Sequence, residues 1–165
     1  MLSKPLQPGD RIGNYILHEV VGEGAFAQVW KASHHERPGR TVALKIAIDD
    51  AFRRQLSREG RLPDITHPNV VPIVDADTRS AEHPYVVMPF YASGSLVNLI
   101  ALHPHGLPGN RVIALLRDIV SGLRAAHGQS VVHRDIKPAN ILIDDTGRAI
   151  IGDFGLSLEA IPKPL

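Results

Sequence analysis

The sequence predicts an α+β chain, in which a small antiparallel sheet with one helix is followed by helices and short strands. Three observations carry this. A run rich in β-branched residues at 14–22 is followed closely by two more strand-like runs at 28–33 and 40–47. The strongest helical periodicity, 109–128, lies in the second half. Beyond it, 131–158 offers only short apolar runs separated by loops holding charged residues. Such an order favours two packed layers with a cleft between them.

Taken along the chain, residues 1–13 read as a leader, mobile over 1–10, where Pro5, Pro8 and Gly9 fall. The first strand runs from Asn14 to a glycine cluster at Gly22. The next two are separated by the turn Glu36-Arg37-Pro38-Gly39, and strands joined this closely are antiparallel neighbours. Residues 49–62 carry Ala51, Phe52, Leu56 and Glu59 at helical spacing, with Asp49 or Asp50 to cap the start and Pro63 to end or kink it. After His67-Pro68-Asn69, the apolar runs 70–76 and 84–90 complete a five-stranded sheet. Ser95 or Ser93 begins a short helix over 95–102. In 109–128, Val112, Leu115, Leu116, Ile119, Val120 and Leu123 form one apolar stripe, and Gly128 sits where a C-cap glycine belongs.

Composition bounds the function. The chain has 165 residues, 44% apolar and 21% charged, as in a folded globular domain. A net charge of +1 provides no global field toward nucleic acid or an anionic membrane, and neither is expected as a partner. The absence of Cys excludes a disulfide framework and thiolate metal sites. No apolar stretch reaches the ~20 residues a membrane helix needs, and the first residues lack a signal-peptide core. A cytoplasmic location is the expectation. His34-His35 and His103-x-His105 lack a nearby third ligand and read as surface loops, and Trp30 reads as packing.

Four motifs carry chemistry. Gly22-Glu23-Gly24-Ala25-Phe26-Ala27-Gln28-Val29 lets the backbone approach a phosphate, or is an ordinary glycine turn. A dinucleotide fingerprint would need a helix after the glycines, and a strand follows. Lys45, within Val42-Ala43-Leu44-Lys45-Ile46, is either a solvent-facing lysine of an edge strand or a cation aimed at phosphates and held by a carboxylate. Glu59 is the natural partner for the second reading. His133-Arg134-Asp135-Ile136-Lys137-Pro138-Ala139-Asn140 concentrates polar groups in one short loop. There Asp135 could take a hydroxyl proton, Lys137 steady a phosphate and Asn140 ligate Mg²⁺ through its amide oxygen. In Gly152-Asp153-Phe154-Gly155, Asp153 is a second carboxylate suited to metal and phosphates, or part of a turn.

The order of these motifs, each in its secondary-structure context, resembles the Hanks-type family of bacterial serine/threonine protein kinases over about Asn14 to Leu158. The resemblance implies a kinase-like fold: an N-lobe (14–88) of a five-stranded antiparallel sheet plus one helix, a hinge (89–94) and a mainly helical, incomplete C-lobe (95–165). It implies transfer of the ATP γ-phosphate to Ser/Thr hydroxyls of protein substrates, with ATP and Mg²⁺ as cofactors. Lys45 would hold the α- and β-phosphates and pair with Glu59, and Asp135 would orient and deprotonate the hydroxyl beside Lys137. Asn140 and Asp153 would bind Mg²⁺. The glycine loop from Val21 to Val29 would cover the nucleotide, Ala43 and Leu142 would flank adenine, Met88 would be the gatekeeper, and Phe90 and Tyr91 would lie in the hinge. Arg134 would mark control by activation-loop phosphorylation.

The sequence departs from the family pattern at Ala27, at Pro63 near Glu59, and at Leu165, where the chain stops before the family's Ala-Pro-Glu motif. The expectation is a C-terminally truncated kinase domain whose 109–128 helix lacks part of its cover. The alternative function is a catalytically inactive nucleotide- or partner-binding fragment.

Overall fold

A computed structural model describes residues 5–24, 26–50, 53, 64–80 and 82–154. The chain divides into two compact units, Met1–Arg61 with Ile73–Phe90, and Leu62–Pro72 with Tyr91–Leu165.

Unit 1 is a six-stranded antiparallel sheet in the order β1-β2-β3-β4-β6-β5. Its strands are β1 (Arg11–Ile12), β2 (Tyr15–Glu23), β3 (Ala27–His34), β4 (Arg37–Ala47), β5 (Asp75–Asp77) and β6 (Tyr85–Pro89). Strand alternation sorts its side chains. Leu17, Trp30, Ala32, Val42, Leu44, Ile46 and Val87 join one buried core. Their strand neighbours Val29, Lys31, Ala43, Lys45, Val86 and Met88 therefore occupy the opposite face. The cross-strand pairs Val29↔Lys45, Lys31↔Ala43, Ala43↔Met88 and Lys45↔Val86 confirm the assignment. The sheet curls: the Tyr15 hydroxyl on β2, next to one edge strand, donates to Asp75 on the opposite edge strand, β5, at 2.9 Å. Burial, reinforced by the hydrogen bond and charge of Asp75, pushes that hydroxyl's pKa up to about 12.

The sheet has one strand more than expected. Arg11 and Ile12, placed in the leader, pair with Ile16 and Tyr15 across a tight turn at Gly13, whose φ is 56°. The reason is Ile12, whose side chain joins the core. The β3–β4 turn also moves, to His35–Glu36, and β4 begins at Arg37. The register jumps from His34↔Arg37 to Ser33↔Thr41 and leaves Pro38, which has no N–H for the ladder, in the irregular stretch between them. The 70–76 run divides at Pro72: Val70 and Val71 turn to Ile151 in unit 2, and only Asp75–Asp77 pairs with β6. Of the helix expected over 49–62, Asp50 and Arg53 are helical. Most of it, including Glu59, and the neighbouring Pro63 lie outside the described residues.

Unit 2 contains α1 (Leu96–Ala101), α2 (Gly109–Gly128), a 3₁₀ turn (Pro138–Asn140), β7 (Ile141–Ile143) and β8 (Ala149–Ile151). Ser95 starts α1, its N–H bonding the Asn98 amide oxygen at 2.8 Å. Gly128 closes α2 from inside the helix instead of capping it. The cap is Gln129, and Ser130 takes the left-handed conformation at φ 61°. The N–H groups of Ser130 and Val131 then return to the carbonyls of His127 and Ala126.

One face of α2 packs on the β7–β8 hairpin. Leu115 and Ala126 are buried, and Ile119 and Leu123 lie against the same core. The rest of the expected stripe, Val112, Leu116 and Val120, is exposed. Asn69 ties the preceding segment to β8: its amide donates to Ala149 O, and its carbonyl accepts from Ile151 N, both at 2.9 Å. Gly122 permits this, since a Cβ there would stand 2.5 Å from the Asn69 carbonyl oxygen. Among the described residues, no helix is long and apolar enough to cross a membrane.

The β7–β8 turn is built on Asp144, whose carboxylate accepts from the Thr146 and Arg148 N–H groups, the Thr146 hydroxyl and the Arg148 guanidinium. Burial pushes its pKa up, but the Thr146 and Arg148 bonds outweigh that and hold it below the usual carboxylate range. A depressed carboxylate stabilises the fold above its unfolded pKa, ~3.9 for Asp, and loses that contribution as pH falls through the lower folded value. Urea midpoints of the wild type are therefore expected to fall below about pH 4. Asp144→Asn should be less stable at pH 7 and show a shallower acid decline.

Candidate active site

Unit 1 holds one group of expected residues. β2 and β3 form a hairpin across the glycine motif, closed by Gly24 N–H donating to Ala27 O at 3.0 Å. Across it, Gln28 Nε2 donates to Glu23 Oε1 at 3.0 Å. Gly22 and Gly24 have no positive φ, and an added Cβ would meet nothing closer than 3.6 Å. The fold itself therefore does not require glycine at either position. Val21 and Phe26 are exposed, and Ala25 lies outside the described residues. Val29, Ala43, Lys45 and Met88 stand together on the face of the sheet away from its core. Phe90 follows directly on β6.

Unit 2 holds the other group. Asp135 Oδ2 lies 2.7 Å from Lys137 Nζ and 3.1 Å from Asn140 Nδ2. Asn140 Nδ2 also donates to the Asp135 backbone carbonyl at 2.8 Å. Both Asp135 atoms can only accept, which fixes the amide orientation and turns Asn140 Oδ1 away as a remaining acceptor. Gly152 N–H donates to Asn140 O at 2.8 Å and brings Asp153 beside this loop. The Lys137 hydrogen bond, with lesser help from Asn140, holds the Asp135 carboxyl below its ordinary pKa. Leu142 is half-buried on β7, bridged to Ser95. Tyr91 begins this unit's second segment, its hydroxyl pKa raised by burial and by the Asp144 charge.

One organising residue was missing from the expected site. His133 is 2% exposed. Its Nε2 donates to Gly152 O at 2.6 Å, and its Nδ1 accepts from Asp135 N at 3.2 Å. Those partners make Nε2 the donor nitrogen and Nδ1 the acceptor. Phe154 packs edge-on against it, with centroids 4.7 Å apart. His133 thus couples the Asp135 loop to the Asp153 loop. The available signal was its place two residues before Asp135, after the apolar pair Val131-Val132. Arg134 and Asp153 both have positive φ, 65° and 68°. For non-glycine residues that conformation costs ~1–3 kcal/mol and clusters at functional sites.

The donors suit a hard divalent cation. Asn140 Oδ1 and the Asp153 carboxylate are hard oxygen donors on loops tied to each other. Among the described residues no group of three His, Cys, Asp or Glu forms a closed metal site. Mg²⁺ binds through one or two protein oxygens and completes its shell with phosphate and water.

The protein kinase domain matches residues 15–164. The chain belongs to the protein kinase family. Its kinase relatives include the DNA damage-responsive serine/threonine-protein kinase RqkA of Deinococcus radiodurans, 38% identical over 158 residues, 92% of this chain and 24% of the relative. Serine/threonine-protein kinase PknL of Mycobacterium tuberculosis is 32% identical over 157 residues, 92% of this chain and 39% of PknL. Calcium/calmodulin-dependent protein kinase type 1 of Macrobrachium nipponense is 35% identical over 150 residues, 87% of this chain and 43% of that kinase. This kinase chain thus spans less than half the length of each of these curated relatives.

Proposed function

We propose that the chain binds ATP with Mg²⁺ and carries the machinery that moves the γ-phosphoryl group to a Ser or Thr hydroxyl of a protein. The observation that carries this reading is the Asp135 loop. A carboxylate held ionised by Lys137 sits beside an asparagine whose amide oxygen is turned outward. Asp135 orients the acceptor hydroxyl and takes its proton. Lys137 offers positive charge to the transferring group. Asn140 and Asp153 hold the cation, which supplies charge neutralisation on the phosphates when bound. Lys45 holds the α- and β-phosphates and pairs with Glu59. The 21–29 loop covers the phosphates, Ala43 and Leu142 flank the base, and Met88 bounds its pocket. The backbone of Phe90 and Tyr91 reads the adenine edge, since Pro89 has no N–H to give. A cytoplasmic location, where nucleotide is supplied, belongs to the same reading.

The test is the melting temperature with and without millimolar Mg·ATP. Ligand at ~100 Kd adds about 2.7 kcal/mol of stability and should raise the melting temperature by several degrees. Lys45→Met removes a charge-assisted contact worth ~1.5–3 kcal/mol and should weaken binding by about 10- to 100-fold. No shift in folded wild-type protein would overturn the nucleotide site. A shift without transfer to any acceptor would leave the non-catalytic binding function.

A further inference from the structure

We propose that Lys31 is a positioning residue for the adenine-reading segment, holding the Phe90 ring from β3. This rests on the reading of Phe90 and Tyr91 given above.

The argument begins with a register shift. β2 pairs Leu17↔Ala32 and then Glu19↔Lys31, so His18 is the extra residue of a bulge. The bulge is pinned by His18 Nε2 and Ser33 Oγ, 2.8 Å apart. Continuing the Leu17↔Ala32 register without it would put His18 opposite Lys31, and Glu19 opposite Trp30 on the core face. The bulge instead places Glu19 on the outer face directly across from Lys31, whose Nζ donates to Glu19 Oε1 at 3.0 Å. Held there, the ammonium stands 5.3 Å from the centroid of the Phe90 ring. A cation over an aromatic face is attracted by the ring quadrupole. Lys31 also shares the sheet face of Val29, Ala43 and Lys45, one cross-strand step from Ala43 and two from Met88.

The consequence is local. Phe90 follows the last residue of β6 and has no ladder partner. Its ring, and through it the adjoining backbone, takes its position from Lys31, and Lys31 takes its own from Glu19. The effect therefore falls on recognition of the base, and the phosphates are untouched.

The experiment compares the affinity of the full chain for Mg·ATP and for Mg·tripolyphosphate, which lacks the base. The proteins are the wild type, Lys31→Met, Lys31→Arg, Phe90→Leu and the double variant Lys31→Met/Phe90→Leu. Amide hydrogen exchange at 90–91 is followed in each without ligand. Lys31→Met is expected to weaken ATP by about two- to five-fold. It should leave tripolyphosphate unchanged and speed exchange at 90–91. Lys31→Arg should restore ATP binding, and the loss should vanish in the Phe90→Leu background. Equal weakening of ATP and tripolyphosphate, or a full Lys31→Met effect without the Phe90 ring, would overturn the proposal. If the wild type binds neither ligand, the nucleotide reading fails by itself. Exchange at 90–91 then decides the positioning role, and an unchanged rate in Lys31→Met rejects it.

Discussion

Asp135→Asn is expected to reduce phosphoryl transfer to a peptide hydroxyl by about 10²- to 10⁴-fold, the range for loss of a positioned general base. Mg·ATP affinity should stay within about two-fold, because the groups proposed to hold nucleotide and cation are left in place. The substitution is nearly isosteric. It keeps an acceptor oxygen for Asn140 but removes the charge that Lys137 faces at 2.7 Å. Asp135 is exposed, so the change should leave the melting temperature nearly unmoved. The pH profile supplies a second check. Lys137 holds the Asp135 carboxyl below its ordinary value, so the base is ionised at every pH above the usual ~3.9 and is lost only as pH falls through the lower folded value. Transfer by the wild type should therefore show no acid limb from Asp135 between about pH 5 and 8. Full activity in Asp135→Asn would remove Asp135 from the reaction.

Leu44→Ala should produce the largest loss of stability, about 2–5 kcal/mol. Leu44 is fully buried among Leu17, Trp30, Ile46 and Val87. Truncation removes its transfer free energy and leaves a cavity that a curled sheet, tied across by Tyr15 and Asp75, is poorly able to close. A domain holds only about 5–15 kcal/mol in total, so the loss is a large share. Trp30 is the sole tryptophan of the sequence and lies in the same core, which makes its fluorescence in urea a direct readout of unit 1. Val120→Ala, at an exposed position of α2, is the control and should cost no more than ~0.5 kcal/mol. Equal urea midpoints for wild type and Leu44→Ala would refute the assignment of the core. Because Lys45 is the next residue along β4, Leu44→Ala should also weaken Mg·ATP binding in proportion to the population unfolded.

Much of this was legible along the chain. The strands around Trp30 and Leu44 were read at 28–33 and 40–47, near their observed limits, whereas the direction of Lys45 stayed open until the strand register set it on the face opposite the core. The helical stripe of 109–128 and the polar loop at 133–140 were read with nearly their observed limits. Less legible were features set by distant partners. Ile12 looked like leader until the sheet offered it a core. Pro38 fell in an irregular stretch of the β3–β4 pairing and not in the turn. Ser130, not Gly128, took the left-handed position, since the Ala126 and His127 carbonyls could be reached from there.

The sequence alone determined which chemistry this chain possesses: an ammonium on a strand, a carboxylate and an amide in one polar loop, and a second carboxylate after an apolar run. Residue type and local spacing suffice for that, because alternation and loop composition are short-range properties. Only the tertiary structure decided how those groups are held. The His133 ring joins two loops separated by 19 residues, and the bulge at His18 sends Glu19 to Lys31. Hydrogen bonds and strand registers of this kind depend on which backbone atoms meet after folding, and no local pattern encodes that.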